Sequence, residues 1–196
     1  PGKFIKTLQK LAQLKNVSLF TGFAQNDLPE FLLFVIDCFH ISLQREVKMS
    51  IVGKAVNHID TLAAECFEMV KNMYNKDYSE IWNMFYGIHV SQITAINNNA
   101  EILSRRPEPF FMVDLSIPQH IKEPTLLNCM DLYVEGETLM GDNAWFNEKT
   151  GQKEGVKKQI RFWNFPQIVV ITLNRFTPDG TGKMNNNIMR SEEHTS

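Results

Sequence analysis

Up to Phe85 the apolar residues recur at helical spacing, and from Gly87 onward they fall at strand spacing. Phe4, Leu8, Leu11 and Leu14 lie on one face of a helix over Phe4–Leu14, with Lys3, Lys6, Lys10 and Lys15 decorating the solvated side. After a short link, Asn16 to Gly22, the run Phe31–Leu43 is apolar almost all round (Phe31, Leu32, Phe34, Val35, Ile36, Phe39, Ile41, Leu43), which predicts a helix buried on most faces. The polar run Gln25-Asn26-Asp27 marks its start. Asp27 reads as an N-cap whose carboxylate can accept first-turn N–H groups, and Glu30 stands at the capping-box spacing. Pro29 falls in the first turn, where a missing N–H costs nothing. A third helix is predicted over Lys54–Tyr74 and a short fourth over Tyr78–Phe85.

In the second half, Ile88, Val90, Ile93 and Ile96 interleave with polar residues before the turn signal Asn97-Asn98-Asn99, predicting a strand. Arg105 to Pro109 reads as irregular, and Phe110–Ile117 as a strand stopped by Pro118. Thr125–Tyr133 reads as a short helix behind Pro124. Ala144–Phe146 and Val156–Trp163 are expected to form a hairpin through Thr150-Gly151. Ile168–Leu173, the most β-rich run, is expected to be a central strand, followed by turns at Asp179-Gly180 and Thr181-Gly182. Helices followed by strands predict an α+β fold, a helical lobe packed on an antiparallel sheet. There is no internal repeat, and Asn185–Asn187, like Asn97–Asn99, is a short polar turn.

Composition narrows the function classes. The chain has 196 residues, 43% of them hydrophobic, with a formal net charge of −2. That suits one domain with a real core and lacks the basic footprint of a nucleic-acid binder. No apolar run approaches the roughly 18 residues of a membrane span, so neither nucleic acid nor membrane is an expected partner. Three unspaced cysteines, Cys38, Cys66 and Cys129, point to a reducing, intracellular compartment, cytoplasmic or nuclear. The first residue is proline, and the closing RSEEHTS, Arg190–Ser196, reads as an adapter-derived tail, so the chain is expected to be cut at both ends.

Two acids at the positive end of a predicted helix admit two readings. Asp27 and Glu30 either cap the helix and nothing more, or they also face solvent and receive a cationic ligand.

Three segments carry a resemblance. Lys157 to Phe176 (KKQIRFWNFPQIVVITLNRF) is similar to the signature of the ubiquitin-specific proteases, papain-like cysteine enzymes, whose usual closing Leu-Lys-Arg-Phe here has Asn174 in place of Lys. Gly22 to Leu32 (GFAQNDLPEFL) resembles the family's Gln-x-x-Asp-Ala-x-Glu-Phe-Leu segment. Between them fit Glu108-Pro109-Phe110, Leu115, Ile117-Pro118, Leu126, Cys129, Tyr133, Glu137 and Gly141. The order is the family's, over roughly Phe20 to Lys183. The resemblance implies a partial papain-like ubiquitin-specific protease domain over residues 1–189, with a helical thumb lobe over 1–83 and finger and palm strands over 84–189.

The family hydrolyses the isopeptide bond after the Gly-Gly terminus of ubiquitin with a Cys nucleophile, a His base and an Asp or Asn that orients it. Neither the Cys box nor the His box occurs here. Cys38, Cys66 and Cys129 read as core cysteines, and His40, His58, His89, His120 and His194 match no family motif. No catalytic residue is expected in this piece, so it is expected to be inert alone. The partner implied is ubiquitin or ubiquitinated protein; a catalytically inactive ubiquitin-binding module of the same fold is the alternative. By resemblance Asp27 and Glu30 face the arginine-bearing ubiquitin tail and Gln25 lies beside the active-site channel.

Many members hold a structural zinc between two Cys-x-x-Cys pairs on their finger strands. The corresponding positions here are Ala95, Asn98, Asn147 and Thr150, so no zinc and no other cofactor is expected. The finger hairpin is expected to be held by packing of Trp145 and Phe146.

Overall fold

A computed structural model describes residues 1–22, 26–96, 101–176 and 182. Five helices and eight strands are defined among them. They are α1 (Gly2–Leu14), α2 (Leu28–Leu43), α3 (His58–Tyr74), α4 (Glu80–Phe85), β1 (Gly87–Ala95), β2 (Ile102–Phe110), β3 (Met112–Ser116), α5 (Leu126–Glu135), β4 (Glu137–Leu139), β5 (Trp145–Asn147), β6 (Gln152–Glu154), β7 (Val156–Asn164) and β8 (Val170–Asn174). The order, helices and then mostly strands, is that of the α+β class anticipated from the pattern. The turns expected at Asn97–Asn99, at Asp179–Thr181 and at Asn185–Asn187, and the Arg190–Ser196 tail, lie outside the described residues.

The main sheet has the order β2-β1-β7-β4 and is antiparallel throughout. Its β1–β7 centre buries Ile88 and Val90 with Cys66 of α3, backed by Leu62, Met69, Val70 and Trp163. Arg105 of β2 grips Glu65 of α3 at 2.8 and 3.0 Å, which ties the sheet edge to that helix. A second core joins β3, β8 and α5: Val113, Leu115, Ile117 and Cys129 pack with Phe110, Ile171 and Leu173. β3 and β8 run parallel, Met112 opposite Val170 and Leu115 opposite Leu173.

Several sequence expectations are corrected by tertiary contacts. Arg105–Pro109 is not irregular but lies within β2, with Pro107 opposite Val90 and Pro109 opposite Ile88. β2 is an edge strand, so two residues without an N–H leave no ladder bond unmade. The single strand expected over 110–117 is split at Phe111, whose ring turns into a different core, with Ile36 and Ile81. The hairpin through Thr150-Gly151 is real, but its strands are β5 and β6; the long strand β7 pairs with β1 and β4 instead. The strand expected over 168–173 starts later, at Val170, and among the described residues its one ladder partner is β3. Helix α3 begins at His58, not Lys54, because Asn57 and Asp60 close a capping box there.

The largest difference concerns α2. Only Phe34, Ile36 and His40 are buried, whereas Leu33, Phe39, Ile41 and Leu43 are 44%, 53%, 45% and 52% exposed. Two separate cores claim two sides of the helix. Phe34, with Ala12 and Phe20, belongs to one; Ile36, with Ile81 and Phe111, belongs to the other. The remaining face is uncovered among the described residues. His40 is buried because Ser79, itself 0% exposed, bonds its Nδ1 at 2.8 Å.

Candidate functional site

The acid-bearing end of α2 is held from two directions. Phe31, directly after Glu30, meets the ring of Phe20 edge-on at 5.7 Å, in the core shared with α1. Leu32 turns the other way and joins Ile36, Phe111, Met112 and Val170 at the start of the β3–β8 pair. The chain approaching this end is fixed as far as Gly22, whose carbonyl accepts from Gln9 Nε2 at 3.1 Å. One turn below the acids, therefore, side chains are locked by packing on both flanks, which leaves the helix start little freedom to tilt.

Asp27 is the N-cap of α2, its backbone carbonyl accepting from Phe31 N at 3.0 Å, and Pro29 stands in the first turn, as the sequence predicted. The expected side-chain capping is absent: the Asp27 side chain makes no capping hydrogen bond among the described residues. The chain caps two other helices fully, with boxes at Asn57–Asp60 and Thr125–Asn128. At α2 the same spacing leaves both carboxylates outward. Asp27 and Glu30 are exposed, and neither forms an ion pair among the described residues. Two negative side chains one helical turn apart, at the positive end of a helix dipole and next to the β3–β8 pair, make a fixed acidic rim. Such a rim suits a peptide carrying guanidinium groups, which carboxylates bind directionally. Gln25, the third expected member, lies outside the described residues.

The cysteines stand apart from this rim. Cys66 and Cys129 are 0% exposed, in the α3 and α5 cores; Cys38 is half-buried on α2. Burial pushes all three thiols up, and at Cys38 this outweighs the opposing pull of Lys15. A nucleophilic cysteine needs the opposite shift, toward thiolate. Two of the histidines are engaged elsewhere: His40 binds Ser79, and His89 approaches Glu108 at 3.4 Å while stacking on Phe110.

At the expected zinc positions, the residues present do not fit a metal. Ala95 ends β1 and offers no ligand atom; Asn98 lies outside the described residues. Asn147 Nδ2 donates to both oxygens of Glu154 at 3.0 and 3.1 Å, and Thr150 Oγ1 donates to the same carboxylate at 2.6 Å. Both groups are engaged as donors, and no cluster of three or more His, Cys, Asp or Glu occurs among the described residues. Of the two aromatics expected to hold the hairpin by packing, Trp145 is partly buried and Phe146 is 54% exposed. Sequence reading missed Glu154: its partner positions are visible only once the β5–β6 register is known.

Comparison with known proteins agrees with this architecture. The family model described as ubiquitin carboxyl-terminal hydrolase matches residues 1–194. A probable ubiquitin carboxyl-terminal hydrolase R319 of Acanthamoeba polyphaga mimivirus is 31% identical over 119 residues, 60% of this chain and 25% of that protein. Ubiquitin carboxyl-terminal hydrolase 2 is similar too: the Gallus gallus protein is 25% identical over 90% of this chain and 48% of its own length, and the Homo sapiens protein 28% identical over 90% and 28%. The chain thus spans between a quarter and a half of the length of these relatives. With an α+β fold in which the start of α2 abuts the β3–β8 strands, and with a family match along nearly its whole length, the chain belongs to the ubiquitin carboxyl-terminal hydrolase family, as a ubiquitin-specific protease domain.

Proposed function

We propose that this chain forms the ubiquitin-tail-binding part of a thiol-dependent deubiquitinase, with the domain boundaries expected from the sequence: 1–83 as the helical lobe, 84–189 as finger and palm, and 190–196 foreign to the domain. The observation that carries this reading is the exposed Asp27–Glu30 rim, locked by Phe31 and Leu32 beside the β3–β8 pair. The rim receives the arginines of the ubiquitin C-terminal tail, Gln25 lies along the same channel, and the scissile carbonyl sits beyond.

The nucleophile and the base come from parts of the protein outside this chain. Three thiols raised by burial, and histidines without a thiol partner, support that assignment. The reaction is then acyl transfer to a cysteine, with the histidine protonating the departing lysine amine and water releasing ubiquitin. Cys38, Cys66 and Cys129 take no part in it.

The test uses the full-length protein and ubiquitin carrying a C-terminal electrophile. Peptide mapping should place the adduct on a cysteine other than these three, and Asp27→Ala with Glu30→Ala should lower hydrolysis of ubiquitin-7-amidomethylcoumarin while leaving the melting temperature nearly unchanged. An adduct on Cys38, Cys66 or Cys129, or unchanged kinetics in the double variant, contradicts the proposal. Tail-dependent binding without adduct or turnover identifies the inactive ubiquitin-binding module instead.

A further inference from the structure

We infer that the Glu154 carboxylate takes the place of a metal ion in closing the β5–β6 finger hairpin, so that this element is opened by protons and not by chelators. By the resemblance, the second thiolate pair of a zinc-bearing member would fall at the positions of Asn147, the last residue of β5, and Thr150 in the turn. In this chain those two residues are bridged all the same, by one acceptor reaching across from β6. Asn147 sends Nδ2 to both carboxylate oxygens, and Thr150 sends its hydroxyl to Oε1. The amide of Asn147 is oriented at both ends, because its Oδ1 accepts from Lys149 N at 3.0 Å. Its backbone carbonyl accepts from Gly151 N at 2.7 Å. Five hydrogen bonds therefore converge on Asn147, Thr150 and Glu154, and Asn147 is only 6% exposed.

None of the three groups is the thiolate or imidazole of a structural zinc site, and as oriented here the amide and the hydroxyl donate to the carboxylate. Bonds to an ionised carboxylate are roughly twice as strong as neutral ones, which suits a clip on a short hairpin that packing leaves exposed. Ladder pairing within β5–β6 covers only three residue pairs, Trp145–Glu154, Phe146–Lys153 and Asn147–Gln152, and an isolated two-stranded hairpin is marginal in water.

Because the acceptor is a carboxylate, protonation removes the clip. The bonds from Thr150 and then Asn147 hold the Glu154 carboxyl below its ordinary range. The hairpin's other charged groups are Glu148, Lys149 and Lys153, and Lys153 Nζ is drawn off to the backbone carbonyl of Asp142 at 2.9 Å. Asp142, whose backbone carbonyl receives Lys153, is the charged group that the preceding segment brings to the hairpin. The sign follows: the clip is complete above the usual carboxylate range and is lost as the pH falls through the depressed value.

Amide hydrogen exchange in the full-length protein tests this, read locally at Lys149 and Gly151. The expected result is protection at neutral pH that survives excess EDTA, in protein without stoichiometric zinc. Glu154→Ala should accelerate exchange at both amides by about tenfold, and Thr150→Val by less. On acidification, the wild-type protection factor should fall toward that of Glu154→Gln, which has no carboxylate to protonate. Stoichiometric zinc, loss of protection in EDTA, or unchanged exchange in Glu154→Ala overturns the inference. The readout is independent of ubiquitin hydrolysis, so its failure and failure of the tail-binding proposal are separate outcomes.

Discussion

Arg45 and Glu80 form a two-armed pair that staples the chain leaving α2 to the first residue of α4. Nη1 reaches Oε2 at 2.9 Å, and Nη2 binds Oε1 more closely still. Arg45 also pairs with Tyr78 through both backbone groups and lies over its ring at 5.2 Å from the centroid. The guanidinium bond is the main reason that the Glu80 carboxyl is held at about 2 against a usual 4.5. A depressed folded-state value stabilises the native state above the unfolded one, and the contribution disappears as pH falls from about 4.5 to about 2. Both side chains are more than half exposed, so salt screens the pair. Thermal melts of wild type and Arg45→Met should therefore differ at pH 7 and low salt and converge toward pH 2. A constant difference across that range would show that the pair's ionisation is not what the substitution removes.

Asp27 and Glu30 should act through charge. The affinity gap between wild type and the Asp27→Asn, Glu30→Gln variant for ubiquitin should be widest near 50 mM salt and shrink as salt rises, because exposed charges beyond about 10 Å are largely screened at 0.1 M. Binding titrations at three or more ionic strengths check this. A gap independent of salt would mean that the substitutions act on shape instead.

His40 and Ser79 give a buried polar prediction. Ser79→Ala leaves His40 Nδ1 without its partner in a pocket where the ring also meets Trp82 edge-on at 4.8 Å. An unsatisfied buried group costs about 1–3 kcal/mol, so chemical denaturation should show a loss of that size. Ser79→Gly should do no better, and Ser79→Thr keeps the hydroxyl but adds a methyl group to a site with no exposed surface.

Gly136 and Gly151 both have positive φ, +85° and +68°, but only the first is crowded. A Cβ at position 136 would come within 2.3 Å of Gln159 Cγ and 2.6 Å of the Lys158 carbonyl, and its φ/ψ region is nearly exclusive to glycine. Gly136→Ala should cost about 1–3 kcal/mol from the backbone alone, with a further penalty from the contact. Gly151 has open space around it, so Gly151→Asn should be nearly neutral. Equal melting temperatures for the two variants would contradict the assignment.

The helical half shows how much a pattern can carry. Period and punctuation placed α1, α2, α4 and α5 within a few residues, since caps, first-turn prolines and apolar spacing are local properties. Pairing was harder to read. Pro107 and Pro109 argued against a strand until the fold made β2 an edge, and β7 was assigned the wrong partner because a ladder partner nearby in the chain and one far away leave the same alternation in the sequence.

The sequence by itself determined the α+β class, the start of α2 with Asp27 at its N-cap, and the family through three ordered segments. Each depends on residue type at short range. Only the tertiary structure decided that Asp27 and Glu30 turn outward instead of capping, that α2 keeps one apolar face uncovered among the described residues, and that Glu154 closes the hairpin between Asn147 and Thr150. Those outcomes depend on which distant groups arrive beside a side chain: Phe20 and Val170 around the helix start, Ser79 at His40, and a hairpin that folds a carboxylate back within reach of two donors.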